Sequence, residues 1–388
     1  MQSVCKSSTK YYTNDSQENL IENKIIRSIE KAEHSIVAFS PALDHSDIID
    51  ALKKKMEAGL ELFVVIDKKK SEENPDIKER LLSKKIVPIE LTLARDGLMH
   101  IKAVVIDEEI VLWGSTNLTY MGNNSNLMAR VRSKKFARIL LQKAGDRALG
   151  KPAERSLSEK SIKLKDGYRM SVCLTPDSNN ALKFVLKLLS LAQKSVKVAM
   201  FTFRHPDIIQ KLKELHSSKK VSVEVILDKS EILAGRTTAY TLLKDANVSV
   251  SVNKTQPLKP KYPLMHHKFC FIDEEIFMHG SLNWTKKAFE RNHDLMSVTR
   301  IKSPEEVIKI KTMWEGLIQN REKYFEYNPP KRRIFPSPRI TYSPTQVPAR
   351  PKLAEESSEE NIWKGLDQLT PEEIDDLFAQ VNEKTFTN

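Results

Sequence analysis

The 388-residue chain carries 63 Lys and Arg against 51 Asp and Glu, a formal charge of +12, which favours a polyanionic partner such as nucleic acid or an anionic lipid surface. With 40% hydrophobic and 29% charged residues the composition excludes a wholly disordered chain, and three scattered cysteines, Cys5, Cys173 and Cys270, exclude a disulfide framework or a cysteine-rich zinc site. No apolar run approaches the ~18 residues of a membrane span, and the N-terminal residues hold no signal-peptide core, so the expectation is a soluble cytoplasmic protein, peripheral to a membrane at most.

Leu20, Ile21, Ile25, Ile29 and Ala32 recur at helical spacing, and residues 35–40 follow as a short buried strand. Ile48, Ile49, Leu52 and Met56 predict a helix stopping near Gly59. Residues 61–67, almost wholly apolar, read as a parallel strand covered on both faces. A helix over 75–83 and a strand over 86–91 complete the first run. The order then returns: helix 179–193, strand 195–201, helix 206–216 and strand 221–228, with Ser35 falling on Ser195 and Asp67 on Asp228. A helix opening on the capping-box pattern Ser303-Pro304-Glu305-Glu306 carries Val307, Ile310, Trp314 and Leu317 on one face. The resulting divisions are a first half over 10–145, a linker over 146–167, a second half over 168–325 and a tail over 326–388. The tail is Pro-rich and basic from Lys331 to Lys352, is expected to be disordered, and ends in an acidic segment whose Ile374, Leu377, Phe378 and Val381 form an apolar stripe suited to a protein partner.

Each half also carries one long motif. Residues 99–119 and 265–285 both read H-x-K, four residues, D, six residues, G-S-x-N. His100 and His266, Lys102 and Lys268, Asp107 and Asp273, Ser115 and Ser281, and Asn117 and Asn283 are all 166 positions apart, so a duplicated active site in a single chain is expected. Two histidines with pKa values near neutrality suit displacement at phosphorus. One neutral imidazole attacks while a protonated one opposite serves the departing oxygen. The lysines add fixed positive charge, and the Ser and Asn side chains add hydrogen bonds for the phosphoryl oxygens. No metal or other cofactor is expected.

The doubled motif resembles the HKD signature of the phospholipase D superfamily. The resemblance implies two α/β sandwich halves about a pseudo-twofold axis, with both motifs meeting in one site that hydrolyses phosphodiesters through a phosphohistidine. It also implies that Asp107 and Asp273 serve structure more than chemistry. Family members usually place an acidic residue eleven positions after the motif Asn to orient a catalytic histidine. That position is Asp294 in the second half and Met128 in the first. On this count His266 is expected to have Asp294 as its partner and to carry the phosphoryl group, with His100 protonating the leaving oxygen. His267 is expected on the opposite strand face. A phospholipid head group is the leading substrate. A nuclease acting on DNA or RNA with the same site, and an inactive binding scaffold, stand as alternatives.

Overall fold

A computed structural model describes residues 9–14, 20–120, 124–148, 159–164, 168–176, 180–218, 221–233, 235, 239–253 and 264–322. The basic tail and its C-terminal helix, expected over 326–388, lie outside the described residues. In the first half, strand β1 (Lys10–Thr13) and helix α1 (Leu20–Glu30) lead into β2 (Ser35–Phe39), α2 (Ser46–Glu57) and β3 (Glu61–Asp67). Helices α3 (Lys68–Glu73) and α4 (Asp76–Ser83) precede β4 (Ile89–Leu91). The motif strands β5 (Ala103–Ile106) and β6 (Ile110–Gly114), then β7 (Leu127–Arg132) and α5 (Lys134–Ala148), complete it.

The second half opens with β8 (Glu159–Lys163), β9 (Arg169–Leu174), α6 (Asn180–Ser190), β10 (Ser195–Met200), α7 (Pro206–Ser218) and β11 (Ser222–Leu227). Next come α8 (Lys229–Leu233), α9 (Ala239–Lys244), β12 (Ser249–Asn253), and the motif strands β13 (Lys268–Ile272) and β14 (Ile276–Gly280). It closes with α10 (Lys286–Glu290), β15 (Leu295–Arg300), α11 (Pro304–Gln319) and β16 (Arg321–Glu322). The expected linker is not wholly linker: β8 lies within it and pairs antiparallel with β9.

Two mixed sheets result, ordered β1-β7-β6-β5-β2-β3-β4 and β16-β12-β11-β10-β13-β14-β15-β9-β8. Apart from β8 and β16 the order is the same, so the two halves share a topology as well as a motif. In each, the apolar βαβ strands run parallel and the motif strands return antiparallel beside them. The sheets face one another across an aromatic layer that includes Tyr11, Trp113, Phe136, Phe269, Phe271, Phe277 and Trp314. Trp113 donates through Nε1 to Ser297 Oγ at 2.9 Å and stacks on His279 at 5.3 Å, so this layer joins the halves. Helices cover the outer faces: Ile21, Ile25 and Ile29 of α1, one turn apart, are wholly buried over the first sheet, and Val185, Leu188 and Leu212 do the same over the second. Ser303 does stand at the start of α11, but its hydroxyl makes no capping bond; its carbonyl accepts from Glu306 and Val307 instead.

The motif's Asp and Gly are explained by this architecture. Asp107-Glu108 and Asp273-Glu274 are the central residues of β-turns in three-residue hairpin loops, 107–109 and 273–275, with φ of 51° and 50° in one and 52° and 61° in the other. From there the Asp107 carboxylate accepts the backbone N–H groups of Glu33, His34 and Ser35, and Asp273 accepts those of Gln193, Lys194 and Ser195. Each thereby ties the motif hairpin to the start of the central parallel strand. Gly114 and Gly280 sit where a Cβ would lie 2.0 Å from Leu127 O and 2.1 Å from Leu295 O, so no other residue fits.

Burial acts to raise the Asp107 carboxyl, but the three N–H bonds outweigh it and hold the group below the ordinary range. Its contribution is therefore complete above the unfolded pKa of ~4 and fades as pH falls through the folded value. Asp107→Ala should cost about 1–2 kcal/mol at neutral pH, with the cost shrinking below pH ~4. Denaturant unfolding across pH checks this; a cost that is the same at low and neutral pH would contradict it.

Candidate active site

Both motifs converge where the two sheets meet, and each half holds the other's histidine strand. His100 N donates to His293 O and His293 N to Leu98 O, both at 2.8 Å. Symmetrically, His266 N donates to Ser125 O and Ser125 N to Leu264 O, also at 2.8 Å. A second anchor comes from within each half. Asp67, at the end of β3, accepts the N–H of Met99 at 2.8 Å, and Asp228, at the end of β11, accepts that of Met265 at 2.7 Å. The residue before each catalytic-type histidine is thus fixed by a buried carboxylate.

The side chains cross between halves in the same way. His100 Nδ1 lies 2.6 Å from Asp294 Oδ1, and His266 Nδ1 lies 3.1 Å from Asn126 Oδ1. This corrects the expected pairing: Asp294 serves His100 of the opposite half, and His266 faces an amide. The loop from the motif Asn to the next strand is two residues shorter in the first half. Gly114 pairs with Met128 as Gly280 pairs with Met296, so Asn126 is the counterpart of Asp294. Met128 is a wholly buried strand residue that packs in the core.

The motif serines also differ from expectation. Ser115 Oγ accepts from Leu127 N and donates to Asn126 Oδ1 at 2.9 Å, while Ser281 Oγ accepts from Leu295 N and donates to Asp294 Oδ1 at 2.7 Å. Buried and engaged in this way, the two hydroxyls hold the groups that orient the histidines rather than a phosphoryl oxygen. Thr175 adds to the hold on Asp294, accepting its N–H through Oγ1 at 3.1 Å. Asn283 Oδ1 accepts from Thr202 N at 3.2 Å; Asn117 Oδ1 is buried with no hydrogen-bond partner among the described residues.

Lys102 Nζ donates to His100 O at 2.8 Å and Lys268 Nζ to His266 O at 2.7 Å, which leaves each ammonium further protons for a ligand. Lys268 also lies over the Phe201 ring at 4.9 Å. Both lysines are buried. Burial brings Lys102 down to about 7 against the pull of Asp294, and burial together with the neighbouring Lys102 brings Lys268 well below its ordinary value. His266 is likewise held well below 6.5 by burial and by Lys268, Lys102 and His100. His100 is lowered by burial and Lys102, with Asp294 opposing; its side chain keeps 16% exposure, enough to meet a ligand. Burial acts to raise the wholly buried Asp294, yet His100, Lys102 and the Ser281 hydroxyl hold its carboxyl below the ordinary range, so it is an anion.

His267 turns to the other strand face and packs edge-on against Phe269. Burial pushes the Cys270 thiol up, as suits a small core residue. Among the described residues no group of three or more His, Cys, Asp or Glu is placed to hold a metal ion, and no helix is long and apolar enough to cross a membrane. Sequence reasoning did not identify Asn126, Asp67 or Asp228 as parts of the site. For Asn126 a signal existed: Asn126-Leu127-Met128 and Asp294-Leu295-Met296 share a Leu-Met pair, which fixes the register once the shorter loop is allowed.

A family model described as cardiolipin synthase, PLD-like domain, matches residues 25–145 and 185–317, taking in both motifs. Human mitochondrial cardiolipin hydrolase is 28% identical over 165 residues, 42% of this chain and 59% of the human protein. The Xenopus tropicalis mitochondrial cardiolipin hydrolase is 32% identical over 127 residues, 33% of this chain and 57% of that protein. The chain thus spans a little under two thirds of the length of these curated relatives. Among solved structures, phosphatidylserine synthase of Haemophilus influenzae Rd KW20 superposes with a TM-score of 0.63 at 14% identity, covering 82% of this chain and 87% of that one, a likeness of fold. With both halves matched by the family model, over more than half of its length, the chain belongs to the phospholipase D superfamily.

Proposed function

We propose that the protein hydrolyses phosphodiesters through a phosphohistidine on His100, without a metal, and that phospholipid head groups are its leading substrate class. The observation that carries this is the His100–Asp294 pair at 2.6 Å, set against an amide at His266. A carboxylate accepting the Nδ1 proton leaves Nε2 bare for attack and stabilises the cation formed when it is phosphorylated. This reverses the roles expected from the sequence.

In the first step His100 Nε2 forms a bond to phosphorus and the bond to the leaving oxygen breaks, while His266, which takes up a proton as the diester anion binds, gives that oxygen its Nε2 proton. In the second, neutral His266 takes a proton from water, whose oxygen bonds to phosphorus as the P–N bond breaks. His100 returns neutral and His266 protonated. Lys102 and Lys268 bind the non-bridging oxygens, with the amides of Asn117 and Asn283 beside them. The name of the curated relatives supports a phospholipid substrate. Turnover of cardiolipin, phosphatidylcholine, single-stranded DNA and RNA, compared side by side with EDTA present, tests this. Phospholipid cleavage that survives the chelator is expected; faster cleavage of nucleic acid would overturn the substrate, and activity lost in EDTA and restored by a divalent ion would overturn the chemistry.

The roles are separable with bis(p-nitrophenyl) phosphate, whose leaving group needs no proton. His266→Ala should phosphorylate His100 and stall, and His100→Ala should form no adduct. Asp294→Asn should slow adduct formation by ~10²- to 10⁴-fold. Finding the adduct of the His266→Ala protein elsewhere than on His100 would contradict the assignment.

The buried lysines give a second check. With Lys102 near 7 and Lys268 well below its ordinary value in the free protein, a bound anion must raise both, so the complex holds more protons than the free site. Tungstate, a phosphate mimic whose charge is constant above neutrality, should therefore bind with proton uptake. Its affinity should fall between about pH 7 and 9 by up to ~10-fold per pH unit for each linked proton. Calorimetry in buffers of different ionisation enthalpy reads this directly, and affinity independent of pH would contradict it.

A further inference from the structure

The duplicated site is symmetric in its scaffold and asymmetric in one atom group. Oδ1 of Asp294 takes both the Ser281 hydroxyl and His100 Nδ1; Oδ1 of Asn126 takes both the Ser115 hydroxyl and His266 Nδ1. The orientation of the Asn126 amide follows from its neighbour. Ser115 Oγ already accepts from Leu127 N, so its own proton goes to Asn126, which must present oxygen there. The same oxygen then accepts from His266, which fixes the ring with its proton on Nδ1 and Nε2 toward chemistry. Asn126 is wholly buried, and its Nδ2 has no partner among the described residues.

We propose that Asn126 is the positioning residue that keeps His266 an acid and base and prevents it from serving as a second nucleophile, so that this single amide gives the duplicated site its direction. The proposal rests on the two-histidine reading above. An amide oxygen orients an imidazole as a carboxylate does, but it carries no charge with which to stabilise the imidazolium or an N-phosphorylated ring. The other groups facing His266 disfavour the cation on balance. Lys268, Lys102 and His100 all oppose its charge, Phe201 covers one side at 4.8 Å, and only a backbone hydrogen bond with Ser115 acts the other way. A ring held in place yet poorly able to keep its proton suits rapid transfer to a leaving oxygen and back from water. His100, with the Asp294 anion behind it, can bear the phosphoryl group.

Asn126→Asp would make the two histidines electrostatically alike. The basic limb of the kcat/KM profile, set by loss of the His266 proton, should move up by about one pH unit or more, because a carboxylate now favours the imidazolium. His100→Ala/Asn126→Asp should regain an adduct from bis(p-nitrophenyl) phosphate, with His266 Nε2 bonding to phosphorus as p-nitrophenolate departs, where His100→Ala alone forms none. Asn126→Ala provides a check that needs no buried charge. It should lose at least ~10-fold more activity on a diester with an alkoxide leaving group than on the p-nitrophenyl ester, since only the former needs a proton. Equal losses on both esters, or an unmoved basic limb together with no adduct in the double variant, would overturn the role of Asn126 while leaving His100 as nucleophile. Absence of any phosphohistidine from the unmodified protein would overturn both readings.

Discussion

The site depends on a crossed pair of hydrogen bonds. Each half of the molecule contributes a histidine and receives its orienting partner from the other half, so neither motif is complete within its own sheet. The backbone repeats the pattern, with His293 bonded to the strand of His100 and Ser125 to that of His266. The aromatic layer between the sheets, tied by Trp113 and Ser297, therefore maintains the chemistry as well as the core. A shift of one sheet against the other would separate His100 from Asp294 and His266 from Asn126 together, and close packing resists such shifts.

Concentrating two lysines and two histidines in a buried space is unfavourable for charge, and the free protein responds by lowering the proton affinity of all four. Asp294 is the anion that faces three of them, His100, Lys102 and Lys268. Its carboxylate and those of Asp67 and Asp228 hold backbone and ring in place before any ligand arrives, so little reorganisation is left for the moment of reaction. On the proposed reading a phosphodiester brings the missing negative charge, and binding and protonation are one event in which the anion returns the lysines to ammonium form.

Much of this was legible in the sequence because the hairpin of each motif is rigid. The tight turn at Asp107-Glu108 or Asp273-Glu274, and a glycine where no Cβ fits, permit no insertion, so the 166-residue offset holds from Met99 to Thr119. The βαβ segments were visible from their nearly continuous apolar strands, and the return of their order placed the second half. What counting could not supply was the partner of each histidine. A loop shorter by two residues moved the orienting position from Met128 to Asn126, and contacts that cross between halves leave no periodicity in either one. The serines misled for a related reason: a hydroxyl beside a catalytic-type histidine reads as a phosphate ligand until both of its hydrogen bonds are found to be spent on strand and carboxylate.

The claim that the crossed pairing divides the roles is tested most directly on the unmodified protein. Single-turnover reaction with a diester bearing an alkoxide leaving group, quenched on the millisecond scale into alkali and followed by peptide mapping, locates the acid-labile phosphoryl group. The account predicts it on His100 alone. Label on His266, or divided between the two histidines, would contradict it.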